Sequence, residues 1–184
     1  MLNNTITLTL LLFAFGACIG SFLNVCIFRI PEKLSIVFPG SFCPICKKKI
    51  PFYCNIPILS YILLMGRCKH CRSRISLRYP MVELLTGVLT LLLFVKFGLT
   101  PQLFFWLFFV YVLIVISLID IDHKIIPDRI SIPGIFIFSS SGVFIPEMSA
   151  FTVLAGIFAG GGILYAIAFV YLNLRKKEGM GGVI

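Results

Sequence analysis

Four of the seven cysteines stand as Cys43-Pro-Ile-Cys46 and Cys68-Lys-His-Cys71, two C-x-x-C pairs with 21 residues between them. That spacing is close to the usual one for a four-cysteine zinc site. Each pair turns tightly enough to present two thiolates at about 2.3 Å from one ion, and four thiolates close a tetrahedron with no position left for water. Such a site is structural. Two redox C-x-x-C motifs or an iron–sulfur cluster are the other chemistries open to the same residues. His70 lies between two ligands and reads as a solvated loop residue. Cys54 reads as a packing thiol or a spare ligand, and Cys18 and Cys26 as small apolar residues in a helix.

Acid–base chemistry has few candidates, because the chain holds seven acidic residues: Glu32, Glu83, Asp120, Asp122, Asp128, Glu147 and Glu178. Asp120 directly follows a long apolar run, in Leu118-Ile-Asp120-Ile-Asp122-His123-Lys124-Ile-Ile-Pro127-Asp128. An ionisable group at the end of an apolar span is costly to desolvate and is a functional candidate for that reason. The expectation is that Asp120 sits just inside the bilayer face, where burial and a second carboxylate raise its pKa. Two carboxyls sharing a proton can divide the acid and base roles of peptide hydrolysis. The plainer alternative is a polar loop, with Asp128 as N-cap of the next helix. Glu83, in Arg78-Tyr-Pro80-Met-Val-Glu83, is explained either by the dipole of a helix that starts near Pro80 or by a role toward a substrate or methyl donor.

The elements that carry these residues are apolar. Of the 184 residues, 59% are hydrophobic and 12% charged, with a mean hydropathy of +1.06, far outside soluble usage. A bilayer-spanning helix takes about 20 apolar residues. Five stretches fit: Ile6–Phe28, Met81–Phe97, Leu103–Ile119, Ile130–Ile145 and Phe151–Leu174. The first has no basic residue before Arg29, so it reads as a span and not as a cleavable signal peptide. The run Ile56–Met65 is too short to cross and reads as buried or interfacial. The fold class is therefore an all-α polytopic membrane protein of about five transmembrane helices with a small zinc-ribbon-like loop domain.

Charge orients the chain. Ten of the 16 cations lie between spans one and two, and alternate loops together carry fifteen. That positive-inside pattern puts the N-terminus outside and the cysteine module and the Asp120 loop in the cytoplasm, where disulfides are disfavoured. The net charge of +9 thus points to anionic lipid and not to nucleic acid. Gly16-x-x-x-Gly20 and Gly156-x-x-x-Gly160 predict close helix packing. No internal repeat is visible.

Taken together, the motifs resemble the bacterial type IV prepilin peptidase family. They are Gly20-Ser-Phe-Leu-Asn24-Val, the double C-x-x-C module with Asn55-Ile-Pro57-Ile-Leu-Ser60-Tyr and Gly66-Arg-Cys68, then Arg78-Tyr-Pro80-Met-Val-Glu83-Leu-Leu and the Asp120–Asp128 loop. The resemblance implies an intramembrane aspartic peptidase of the inner membrane. Such an enzyme cuts leaders from type IV prepilins or type II secretion pseudopilins and N-methylates the new N-terminus with S-adenosylmethionine. It makes Asp120, seven residues before Pro127, the first catalytic aspartate. It divides the chain into a first helix (1–29), a zinc loop domain (30–78) and a partial peptidase domain (79–184). The family's second aspartate ends a Gly-x-Gly-Asp type motif. Here Gly179-Met-Gly181-Gly182 is followed by Val183-Ile184 and no Asp. The expectation is a C-terminally truncated member in which one aspartate cannot run the reaction efficiently. A methyltransferase alone, or a zinc-stapled scaffold that binds pilins without processing them, are the alternatives.

Overall fold

The structure is a computed structural model that describes residues 2–145 and 149–175. It is helical, with two isolated bridging pairs and no strand among the described residues. The helices are α1 (Leu2–Arg29), α2 (Leu59–Leu63), α3 (Arg78–Phe97), α4 (Pro101–His123), α5 (Asp128–Ser139), α6 (Ser141–Phe144) and α7 (Ala150–Arg175). The chain folds as two compact units, Met1–Leu99 and Thr100–Ile184. Among the described residues three helices are long and apolar enough to cross a membrane: α1 over Ile6–Arg29, α3 and α4.

In the first unit α1 lies against α3, and small residues let the backbones meet. A methyl group added at Gly20 would strike the Thr86 hydroxyl and lie 2.8 Å from Glu83 Cα. One added at Gly16 would strike the Thr90 hydroxyl and lie 2.9 Å from Gly87 Cα. The threonine hydroxyls need no partner across the interface, since each bonds back along its own helix. Thr86 donates to Val82 O at 2.9 Å and Thr90 to Thr86 O at 2.6 Å. The first small-residue motif thus packs as expected. The second does not: at Gly156, Gly160, Gly161 and Gly162 an added methyl meets nothing within 4 Å among the described residues.

In the second unit α4 starts with Pro101 in its first turn and stops at Lys124, whose left-handed backbone (φ 57°) returns its N–H to Asp120 O. Phe138 of α5 packs edge-on against Phe105 and Phe109 of α4. The expected fourth span, Ile130–Ile145, is not one continuous helix. The twelve residues of α5 reach about 18 Å at 1.5 Å per residue, short of a bilayer core. The break falls at Ser139–Ser141, where Ser139 and Ser140 hydroxyls bond back to Ile135 O and Ile137 O. The expected fifth span lies within α7, which carries the apolar stretch Phe151–Ile167. Asp128 is the first residue of α5, with Pro127 at the N-cap, so the N-cap expected of Asp128 is shifted by one.

Candidate functional site

The two cysteine pairs sit on two hairpins built alike. Phe42 bridges to Lys49 in the first and Arg67 to Arg74 in the second. Cys43 N donates to Lys48 O and Lys47 N to Cys43 O; twenty-five residues on, Cys68 N donates to Ser73 O and Arg72 N to Cys68 O. Lys47 and Arg72 each take a positive φ, 57° and 59°, which turns the amides toward the sulfurs. The pattern closes identically, Ile50 N to Ser41 O and Ile75 N to Gly66 O. An internal repeat of ten residues is therefore present, contrary to the sequence reading.

All four Sγ atoms lie within 4.8 Å of one another, and Cys43 Sγ is 3.9 Å from Cys71 Sγ. Tetrahedral zinc with bonds of about 2.3 Å sets sulfurs about 3.8 Å apart, so the set fits a metal ion. The hairpins favour thiolates in part. The Cys46 amide, helped by that of Ile45 and by sulfur contacts, brings Cys43 down to about 6 against its burial. The Ser73 hydroxyl lowers Cys71. At Cys46 the Lys48 amide acts the same way, but desolvation and the neighbouring Cys43 and Cys71 sulfurs push the thiol up to about 11. A bound cation would remove that mutual repulsion. His70 is exposed, as expected of a solvated residue.

The segment between the hairpins is tied to both. Asn55 Nδ2 donates to Ser41 Oγ at 2.9 Å, and Tyr61 OH to Ile75 O at 3.2 Å under Gly66. Arg29, buried at the end of α1, donates to Ser35 O at 2.8 Å and Gly40 O at 3.3 Å and lies over the Phe42 ring.

Glu83 is buried, 7% exposed, one and a half turns into α3. Its Oε2 accepts the Ile58 N–H at 2.7 Å, and Ser21 of α1 hydrogen-bonds to it as well. A residue of the inter-knuckle segment thus reaches the carboxylate through an unusual backbone. Ile58 has φ 62° and ψ −51°, and Leu59 N donates to Pro57 O at 2.5 Å across it. That is a γ-turn of the rare sense, and a β-branched residue there is strained. One turn from Ser21 on the same helix, Asn24 is buried and donates to Tyr79 O at 3.1 Å. The sequence pointed to Glu83 but not to the Ile58 amide; Ser21 and Asn24 stood only within the Gly20–Val25 motif.

Asp120 is exposed in the last turn of α4, beside Ile119, which is fully buried. Asp122, His123 and Lys124 are exposed too. The Gly179–Gly182 motif and Glu147 and Glu178 lie outside the described residues.

Two family models match this arrangement. The bacterial peptidase A24 N-terminal domain covers residues 14–97, with α1, the hairpins and α3, and the type IV leader peptidase family covers residues 107–182, with Asp120. A Klebsiella pneumoniae protein is 34% identical over 179 residues, 92% of this chain and 77% of its own length. The chain belongs to the type IV leader peptidase family. That relative is named a prepilin leader peptidase/N-methyltransferase, as are two more. One, from Myxococcus xanthus (strain DK1622), is 47% identical over 123 residues, 67% of this chain and 37% of its own. The other, from Neisseria gonorrhoeae, is 36% identical over 200 residues, 90% of this chain and 66% of its own. The chain therefore spans less than two thirds of the length of these two family members. No solved structure matches it.

Proposed function

We propose that this chain is a prepilin leader peptidase and N-methyltransferase of the bacterial inner membrane, acting on type IV prepilins or type II secretion pseudopilins at the cytoplasmic face. The observation that carries the reading is Asp120, the acidic residue that ends the apolar α4 inside the stretch matched by the type IV leader peptidase family. In an aspartic mechanism one carboxylate takes a proton from water while a second carboxyl protonates the scissile carbonyl. Asp120 supplies one of the two, and its exposed position at the helix end gives it access to a peptide at the membrane surface.

Methyl transfer is the second activity in this reading. S-adenosylmethionine, when bound, supplies an electrophilic methyl group on a cationic sulfur. Glu83 is the buried carboxylate suited to holding a positive charge, either the donor's or that of the amine to be methylated. Ser21 and the Ile58 amide fix its orientation. Cys43, Cys46, Cys68 and Cys71 would hold a zinc ion, which would staple the two hairpins in a structural role. The buried Glu83 also favours a second reading, a methyltransferase without peptidase activity.

Cleavage of a purified prepilin in detergent tests the proposal. Cleavage is expected with the parent chain and should be abolished by Asp120→Asn. Full cleavage that survives Asp120→Asn would remove that residue from the mechanism. Transfer of labelled methyl to a pre-cleaved pilin peptide, lost in Glu83→Gln but kept in Asp120→Asn, reports the second activity separately.

A further inference from the structure

The segment between the knuckles is apolar and uncovered. Phe52 is 86% exposed, Leu63 80% and Met65 85%, with Tyr53, Ile56, Leu59 and Ile62 exposed beside them. Patches of this kind in a soluble domain mark a surface meant for something apolar. Three observations identify the occupant. First, depth: Ile58, in the middle of the segment, bonds to Glu83, which lies within α3, a helix long and apolar enough to cross a membrane. The segment cannot stand off the bilayer while that bond is made. Second, tethering: the module's two ends are the ends of two crossing helices, Arg29 of α1 and Arg78 of α3. Third, charge: Lys47, Lys48, Lys49, Arg67, Lys69, Arg72 and Arg74 are all exposed on the hairpins, and Glu32 is the one acidic residue between Arg29 and Arg78.

Cations beside exposed aromatic and aliphatic side chains are what an anionic lipid interface binds, the cations on phosphates and the apolar groups among the upper acyl chains. Tyr53 is typical of such a boundary, its ring under Lys69 Nζ at 4.7 Å and its hydroxyl bonded to the same amine. A basic peptide would be repelled. We propose that residues 52–65 form an interfacial anchor that lies in the headgroup layer of an anionic leaflet, with the lysines and arginines of both hairpins on lipid phosphates.

The chain's one tryptophan, Trp106, makes a direct test feasible. In a Trp106→Phe background, Leu63→Trp and, separately, Phe52→Trp are placed in lipid nanodiscs of phosphatidylcholine with or without phosphatidylglycerol. With phosphatidylglycerol present, emission from either position should shift to the blue. Nitroxide lipids labelled near the headgroup should quench most of it, and aqueous iodide little. Adding Lys48→Gln, Lys49→Gln and Arg74→Gln should weaken the nitroxide quenching, as should removing phosphatidylglycerol. Water-like emission, quenched freely by iodide in anionic discs at both positions, would overturn the proposal. So would lipid-like emission that develops only when an apolar pilin peptide is added, since the segment would then be a peptide groove.

Discussion

At Ile58 a single backbone amide does what a side chain usually does. A β-branched residue at φ 62° costs on the order of 1–3 kcal/mol, and the return is an N–H aimed at a buried carboxylate. Ile58→Pro removes the donor and forbids the conformation, so it should lower the thermal stability of the detergent-solubilised protein, by about 2 kcal/mol for the lost amide–carboxylate bond. Ile58→Gly keeps the amide and relieves the strain, and should lie close to the parent in the same melting experiment. Equal losses in both would mean that the isoleucine side chain, not its amide, matters there. The sequence made Glu83 legible, as a carboxylate where a helix begins, and left its role open between dipole and site. Its amide partner was not legible, because residue type says little about where a backbone N–H points. The cysteines were the opposite case, since metal ligands are side chains with a required spacing.

Among the elements, the two glycine motifs read alike and behave differently. A small-xxx-small pattern states that a helix can be approached closely, not by what. Gly16 and Gly20 meet Thr86, Gly87 and Thr90, whose hydroxyls are satisfied within α3, so the contact is made of backbone and small side chains. Gly20→Leu should therefore cost about 1–3 kcal/mol by overpacking, read as a lower melting temperature in detergent. A stability equal to the parent's would refute that tight seam. The broken fourth span was misread because apolarity was counted without the three consecutive serines, which let the backbone leave the helix at Ser139–Ser141. The hairpin repeat was hidden for a related reason. Its halves share two cysteines and an isoleucine, Cys43, Cys46 and Ile50 against Cys68, Cys71 and Ile75, while the likeness resides in main-chain hydrogen bonds.

Over the whole molecule, membrane class followed from apolar length and needed no structure. The charge pattern predicts the orientation, with the hairpins and Asp120 on the cytoplasmic side. Alkaline phosphatase fused after Arg74 should be inactive in cells, while a fusion after Gly98 should be active. The reverse pattern would invert the topology. One consequence concerns the hairpins and the chain between them. An ion held by the sulfurs on both sides of residues 47–67 would close that stretch into a buckled ring. Its far point, the Ile58 amide, rests on a carboxylate of another helix. Taking the ion away would turn the ring into a slack tether and leave the acid on α3 without its cap.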